Sequence, residues 1–157
     1  MGKSSKGIQV YEIFKKYLDD NKIKFEAHDD DLVLTMTING DDLPQPTMIV
    51  VIDDREVIQI ISPIPGNIRE DKRVDAAIAV SVANDQMING CFDFDISNGR
   101  IQFRLAQSYS GMEPSEELIK YMIGVTFFTT DNYNDKFFML GKGMMSLEEF
   151  IEKSNKH

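Results

Sequence analysis

Hydrophobic and polar positions near the start of the chain repeat with the period of an α-helix. Between Ile8 and Asp20, apolar side chains fall on one arc and charged side chains lie opposite. This pattern is typical of an amphipathic helix that packs one face on a core, and Asn21 is a suitable C-terminal stop. The apolar arc comprises Val10, Tyr11, Ile13, Phe14, Tyr17 and Leu18.

The next part of the chain alternates with period 2, which predicts β-strands. Alternation is clearest from Leu32 to Ile38, and β-rich runs follow at Met48–Ile52 and Val57–Ile61. The polar residues between the last two runs predict a hairpin. A short strand at Lys24–Ala27 is a candidate neighbour of the first one, across the acidic turn 29–31.

This hairpin has apolar residues on both of its faces. One face contains Ile49, Val51, Ile58 and Ile60, and the other contains Met48, Val50, Ile52, Val57 and Ile61, interrupted only by Gln59. A large exposed apolar patch marks an interaction site. The second set is therefore predicted to bind a protein partner or a second copy of the chain. The alternative is that the C-terminal helix or the proline-rich loop covers it.

A second helix is predicted at Glu70–Asn84, followed by a hairpin. Its core stripe is expected to comprise Val74, Ala77, Ile78, Ser81 and Val82. In the hairpin, Asn98-Gly99 separates two alternating runs and favours a two-residue type I′ turn. That turn would place Phe92 opposite Leu105 and Asp93 opposite Arg104. The polar outer face of this hairpin predicts a sheet surface that is half apolar and half polar.

The C-terminal part is predicted to be helical. A long helix is expected from Pro114 to Leu140, with a possible break at Asp131–Asp135, and its stripe comprises Leu118, Met122, Val125, Thr129, Tyr133, Phe137 and Leu140. Ser146 and Glu149 form a capping box that begins a last helix. Strands and helices do not alternate along the chain, which excludes a doubly wound fold. The prediction is an α+β fold with an antiparallel sheet of about five strands and helices on one face.

Composition and charge narrow the function classes. The 157 residues fit a single domain, with 1–7 as a disordered tail and 144–157 as a C-terminal helix extension. A formal net charge of −9 repels phosphates, so neither nucleic acid nor a membrane is an expected partner. The lone Cys91 fits a reducing compartment, and residues 1–7 lack the apolar core of a secretory signal. A cytoplasmic protein is expected.

No candidate site for catalysis, a cofactor or a metal is supported. His28 is followed by Asp29–Asp31, but adjacent side chains in a turn rarely converge on one ion. Asp93 and Asp95 share a strand face, where an arginine neighbour would keep Asp93 charged. Cys91 has no adjacent base and is expected to be structural. The glycines at 141 and 143 lack the strand and spacing of a phosphate loop.

The segment from Arg73 to Arg104 resembles the YbjN domain family. An alanine-rich helix ends at Asn84, Gly90 opens a strand, and a hairpin with a polar-glycine turn follows. The order of the other elements is also similar to that of the family, which implies a single YbjN-like domain over 1–157. The family is similar in fold to type III secretion chaperones, which are small, acidic, cytoplasmic homodimers that hold other proteins in extended form. The helix at Ser146 departs from this pattern and lies where a dimer surface would be needed.

Two hypotheses about function follow. The first is a non-enzymatic protein-interaction module, chaperone-like or regulatory and homodimeric, that uses the second hairpin face. The alternative is a small-molecule-binding regulatory domain or an enzyme, with a pocket under the long C-terminal helix. Its support is an aromatic cluster of Tyr121, Phe127, Phe128, Tyr133, Phe137 and Phe138. Neither hypothesis requires a metal or a cofactor.

Overall fold

The computed structural model describes residues 2–85 and 87–155 of the chain. Four α-helices and six strands form one layer of helices on one sheet. They follow in the order α1 (Ser5–Asp20), β1 (Glu26–His28), β2 (Val33–Asn39), β3 (Pro44–Ile52), β4 (Val57–Pro63), α2 (Arg73–Asn84), β5 (Cys91–Asp95), β6 (Arg100–Ser108), α3 (Glu116–Gly141) and α4 (Leu147–Ser154).

The sheet is antiparallel throughout, with the strand order β1-β2-β3-β4-β6-β5. All four helices bury side chains in a single core cluster on one face of it. The predicted α+β fold with helices on one face is confirmed, with six strands where about five were expected. The strand at Lys24–Ala27 exists as β1, at Glu26–His28, and forms one edge.

The first helix begins at Ser5, earlier than predicted. The Ser4 hydroxyl accepts a hydrogen bond from the Gly7 N–H at 3.0 Å, which supplies the N-cap that the hydrophobic pattern alone does not reveal. Ser4 also donates its own N–H to Asp53 at 2.7 Å. Residues 5–7, assigned from sequence to a tail, are therefore part of α1. Its C-terminal end at Asn21 is as predicted.

The prediction for the buried face of α2 was wrong. The helix starts at Arg73 and buries Ala76, Ala79, Val80 and Ala83, whereas Val74 is 69% and Ile78 is 44% exposed. Alanine side chains let the helix lie close to β5, and a contact with that strand is consistent with its rotation. That contact is the side-chain amide of Asn84, which hydrogen-bonds the backbone of Phe92.

The hairpin of β5 and β6 closes through a four-residue turn, so the predicted two-residue turn was wrong. Asp95 pairs with Arg100, and its carboxylate accepts hydrogen bonds from the Ser97 N–H at 3.0 Å and hydroxyl at 2.6 Å. Gly99 has a φ of 79°, and its carbonyl accepts a hydrogen bond from Ile68 at 2.8 Å. These contacts hold a wider turn than Asn-Gly alone would form.

The wider turn shifts the register of the hairpin by two residues. Phe92 lies opposite Phe103 instead of Leu105, and Asp93 lies opposite Gln102 instead of Arg104. Because a shift of two preserves the alternation, the side chains of β5 and β6 still face the predicted sides of the sheet. Ile96, predicted on the core side opposite Ile101, lies instead in the turn and is 57% exposed.

Helix α3 runs without a break through Asp131–Asp135. The hydroxyl of Ser115 caps it by accepting from the Leu118 N–H at 3.1 Å. The buried stripe follows the prediction at Met122 and from Tyr133 to Leu140, but other positions of the first half are shifted by one residue. Ile119 and Thr126 are buried there, instead of the predicted Leu118 and Val125.

Helix α4 begins at the predicted capping box. The Ser146 hydroxyl accepts from the Glu149 N–H at 3.1 Å. The helix packs on α2 and α3, and its Phe150 is fully buried with its ring centroid 5.0 Å from that of Phe137. The C-terminal helix therefore completes the helical layer and does not cover the opposite face of the sheet.

Candidate protein-interaction surface

The strands β3 and β4 present two different faces. Ile49, Val51, Ile58 and Ile60 point into the core and are at most 2% exposed. The alternate residues Met48, Val50, Ile52, Val57 and Ile61 are half-buried, and they are absent from the core cluster and from the side chains packed against it. We call these five residues the open face, because they lie on the side of the sheet opposite the helices.

Strand register groups the open face into one apolar patch that Gln59 interrupts. Val50 lies between Val33 of β2 and Gln59 of β4. Met48 lies opposite Ile61, and Ile52 lies opposite Val57 at the end of the same hairpin. The patch thus crosses three neighbouring strands at the centre of the sheet.

The same side of the sheet becomes polar at β5 and β6. Arg104, opposite Ile61, donates from Nε and Nη2 to the two carboxylate oxygens of Asp93 at 2.7 and 3.0 Å. The ion pair predicted from sequence is present, although it forms diagonally and not between directly opposed residues. The predicted division into an apolar half and a polar half is therefore observed.

The carboxylates and the thiol of this polar half do not fit acid–base or nucleophilic roles. Hydrogen bonding from Arg104 lowers the pKa of Asp93, and hydrogen bonds from Ser97 lower the pKa of Asp95. Both groups are therefore charged at neutral pH. Burial is the main cause that raises the pKa of the Cys91 thiol, which makes it less nucleophilic.

A groove of 580 Å³ lies beside the open face, towards the β1 edge. Met48 borders it, and both apolar and polar residues of β1–β4 and of the segment before β1 form its other walls. These residues are Lys24, Phe25, Glu26, Thr35, Met36, Thr37, Pro46, Thr47 and Pro63. The groove extends the apolar surface and gives it a concave margin.

The histidine and the first aspartate at the acidic turn have structural contacts. His28 Nε2 lies 3.3 Å from the Thr35 hydroxyl, and Asp29 accepts from the Tyr11 hydroxyl at 2.7 Å and Lys15 at 3.2 Å. Within the described ranges, no three side chains of His, Cys, Asp or Glu are grouped so that they could hold a metal ion.

The aromatic cluster predicted under α3 is divided between the core and the surface. Tyr133 and Phe137 pack against Phe92, with ring centroids 5.4 and 4.9 Å apart, so they fill the space beneath the helix. Phe128 is 71% and Tyr121 48% exposed on the outer side. The rings therefore do not form one pocket.

Two contributors were missed in the sequence. Val33 of β2 lies directly beside Val50 and borders the open face, which only the pairing of β2 with β3 reveals. Asn84 protects the outer edge of β5 through its bonds to Phe92, and the sequence offers only its position at a helix end.

Among the described residues, no helix is both long and apolar enough to cross a membrane.

Comparison with known proteins finds relatives at the level of structure. No protein-family model matches the sequence, and no curated protein sequence does so. YbjN from E. coli, a candidate transcription regulator, superimposes with a TM-score of 0.60 at 15% identity, over 80% of this chain and 88% of that chain. The HopA1–SchA chaperone–effector complex gives 0.61 at 10% identity, over 84% and 98%.

The ExsC–ExsE complex contains a third similar chain. Its TM-score is 0.53 at 11% identity, over 86% of this chain and 96% of that chain. These likenesses cover most of the sheet-and-helix layer described above. The chain therefore has the YbjN-like fold that is shared with type III secretion chaperones.

Proposed function

We propose that the chain is a non-enzymatic, chaperone-like protein-interaction module that forms a homodimer through its open face. The observation that supports this most is the position of Val50 and its four apolar neighbours, which lie outside the core cluster and outside the side chains packed against it. Covering a half-buried valine or isoleucine yields about 1 kcal/mol. Five such side chains offer several kcal/mol towards association, to be set against its entropic cost.

The surface chemistry favours a protein as the partner. A net charge of −9 disfavours both phosphate backbones and anionic lipid heads. An apolar centre with polar margins, here Arg104 and Asp93 on one side, is the usual composition of a protein interface. The half-buried free thiol of Cys91 fits a reducing, cytoplasmic location.

The fold comparison is consistent with this proposal. Two of the similar chains come from structures described as a chaperone–effector complex and as the ExsC–ExsE complex. Extended segments of other proteins are accordingly a second class of ligand for the same surface. The alternative, a small-molecule site within the predicted aromatic cluster, is less supported because Tyr133 and Phe137 are packed in the core against Phe92.

Two adjacent valines of β3 allow a matched test. Val50→Asp places a charge on the open face, and we expect it to halve the molar mass in solution without a large loss of stability. Val51→Asp places the same charge in the core, where the wild-type side chain is 2% exposed, and we expect unfolding. Sedimentation velocity and urea unfolding distinguish these outcomes. If Val50→Asp also unfolds, or if it leaves the mass unchanged, the proposal is wrong.

A further inference from the structure

A second concave site lies at the side of α3, away from the open face. The cleft has a volume of 580 Å³ and is bounded by the end of α1, by β2 and by α3. Its apolar lining includes the half-buried side chains of Ile23, Ile38, Ile123 and Phe127. This volume is in the range of small-molecule sites. None of the five open-face residues lines it.

The charged side chains that line the cleft are all basic, and Asp19 lines an adjoining pocket with Lys22 and Lys24. Lys22, Lys24 and Lys120 line the cleft, and no aspartate or glutamate does, in a chain with 26 acidic and 17 basic residues. Among the described residues, none of these lysines forms an ion pair. An apolar lining with three ammonium groups that form no ion pair is complementary to an anion that carries an apolar tail.

A glycine in the interior of α3 gives independent support. Gly124 lies well inside the helix, where glycine is less stable than alanine. A Cβ atom built on Gly124 meets no atom within 4 Å, so packing within the chain does not require a glycine. Gly124 lines the cleft, where the missing side chain lets a ligand approach the helix backbone closely.

We propose that this cleft binds a small amphipathic carboxylate. Its hydrocarbon tail would lie on Ile23, Ile38 and Ile123 and pass over Gly124, with its carboxylate beside the lysines. A monoanionic ligand with a flexible tail suits the cleft because apolar contacts supply affinity and the lysines select the charge. This site is separate from the protein-interaction surface, and the two proposals can fail independently.

The first test compares two probes with the same tail and opposite charge. Isothermal titration calorimetry with dodecanoate, below its micellar concentration, should show saturable binding of one molecule per chain. Dodecyltrimethylammonium should bind at least tenfold more weakly, and added salt should weaken dodecanoate binding. Absent or unsaturable dodecanoate binding, or equal binding of both probes, would overturn the proposal.

Variants at the cleft locate the binding. Gly124→Leu should fill the space and abolish dodecanoate binding, while Val50→Asp should leave it unchanged. Gly124→Ala should raise the unfolding midpoint by about 3 °C and yet weaken binding, an opposition that a purely structural glycine would not show. Lys120→Glu should weaken binding at least threefold, with Lys153→Glu on α4 as the control. Unchanged affinity in Gly124→Leu and Lys120→Glu contradicts the assignment.

Discussion

The side chain of Asn84 performs the role of a missing strand at the edge of the sheet. Its Nδ2 donates to the Phe92 carbonyl at 3.0 Å, and its Oδ1 accepts from the Phe92 N–H at 2.8 Å. Because β5 is an outer strand, these backbone groups have no strand partner on that side. Asn84 thus satisfies both groups, blocks the edge against pairing with another chain, and ties α2 to the sheet.

The Asn84→Ala substitution should destabilise the domain by about 2 kcal/mol. Two hydrogen bonds contribute roughly 0.5–1.5 kcal/mol each, and Phe92 would keep a donor and an acceptor that only partial solvent access can satisfy. The higher helix propensity of alanine offsets roughly 0.5 kcal/mol of this loss of stability. Urea unfolding followed by far-UV circular dichroism measures the change, and the Phe92 amide should exchange with solvent faster.

Two further variants make this test specific. Ser81→Ala lies on the exposed side of the same helix and should change stability by less than about 0.5 kcal/mol. Asn84→Asp keeps the acceptor, but its carboxylate faces the Phe92 carbonyl, so folding raises the pKa of the introduced carboxyl. Its stability should therefore recover as pH falls through that pKa and be lost as pH rises. If Asn84→Ala is no less stable than Ser81→Ala, the bridging role is refuted.

Remaining predictions concern two buried tyrosines and one ion pair. The hydroxyl of Tyr109 is buried with no hydrogen-bond partner among the described residues, so Tyr109→Phe should stabilise by about 1 kcal/mol in urea unfolding. Tyr11→Phe removes the 2.7 Å hydrogen bond to Asp29 and should destabilise the protein by about 1 kcal/mol. If Tyr109→Phe and Tyr11→Phe change the stability equally, both predictions are contradicted. Because Arg104 lowers the pKa of Asp93, the ion pair stabilises the folded protein at pH values above the pKa of an unfolded aspartate, about 4. This contribution to stability is lost as pH falls through the lower pKa of the folded protein. Asp93→Asn should therefore cost less than about 1 kcal/mol at pH 7, and this cost should shrink as pH falls through the folded pKa, so a difference that stays constant with pH would contradict it.

Local patterns were sufficient for the elements of the fold. Strand alternation depends on neighbouring residues alone, and the caps at Ser115 and Ser146 act within four residues, so both could be predicted. The buried face of α2 could not, because apolar residues surround much of that helix and the choice depends on its contacts with β5. The predicted type of the Asn-Gly turn was wrong for a similar reason, because the turn contacts Ile68, which is 31 residues away from Gly99 along the chain.

The candidate sites depend on register and on elements distant in sequence. The members of the open face follow from period 2, so the five predicted residues could be grouped correctly. The sequence could not predict whether a helix covers these residues, because that depends on the position of α4. In the structure α4 packs on α2 and α3. The cleft was missed because Lys22, Ile38 and Gly124 come from three separate segments, and a mid-helix glycine alone does not indicate a cavity.

The account depends most on the open face being an interface. Light scattering over a concentration series tests this directly, because it gives the molar mass of the unmodified chain in solution. We predict a mass of twice one chain that falls to a single chain on dilution or in Val50→Asp. A single-chain mass at every concentration would contradict the homodimer.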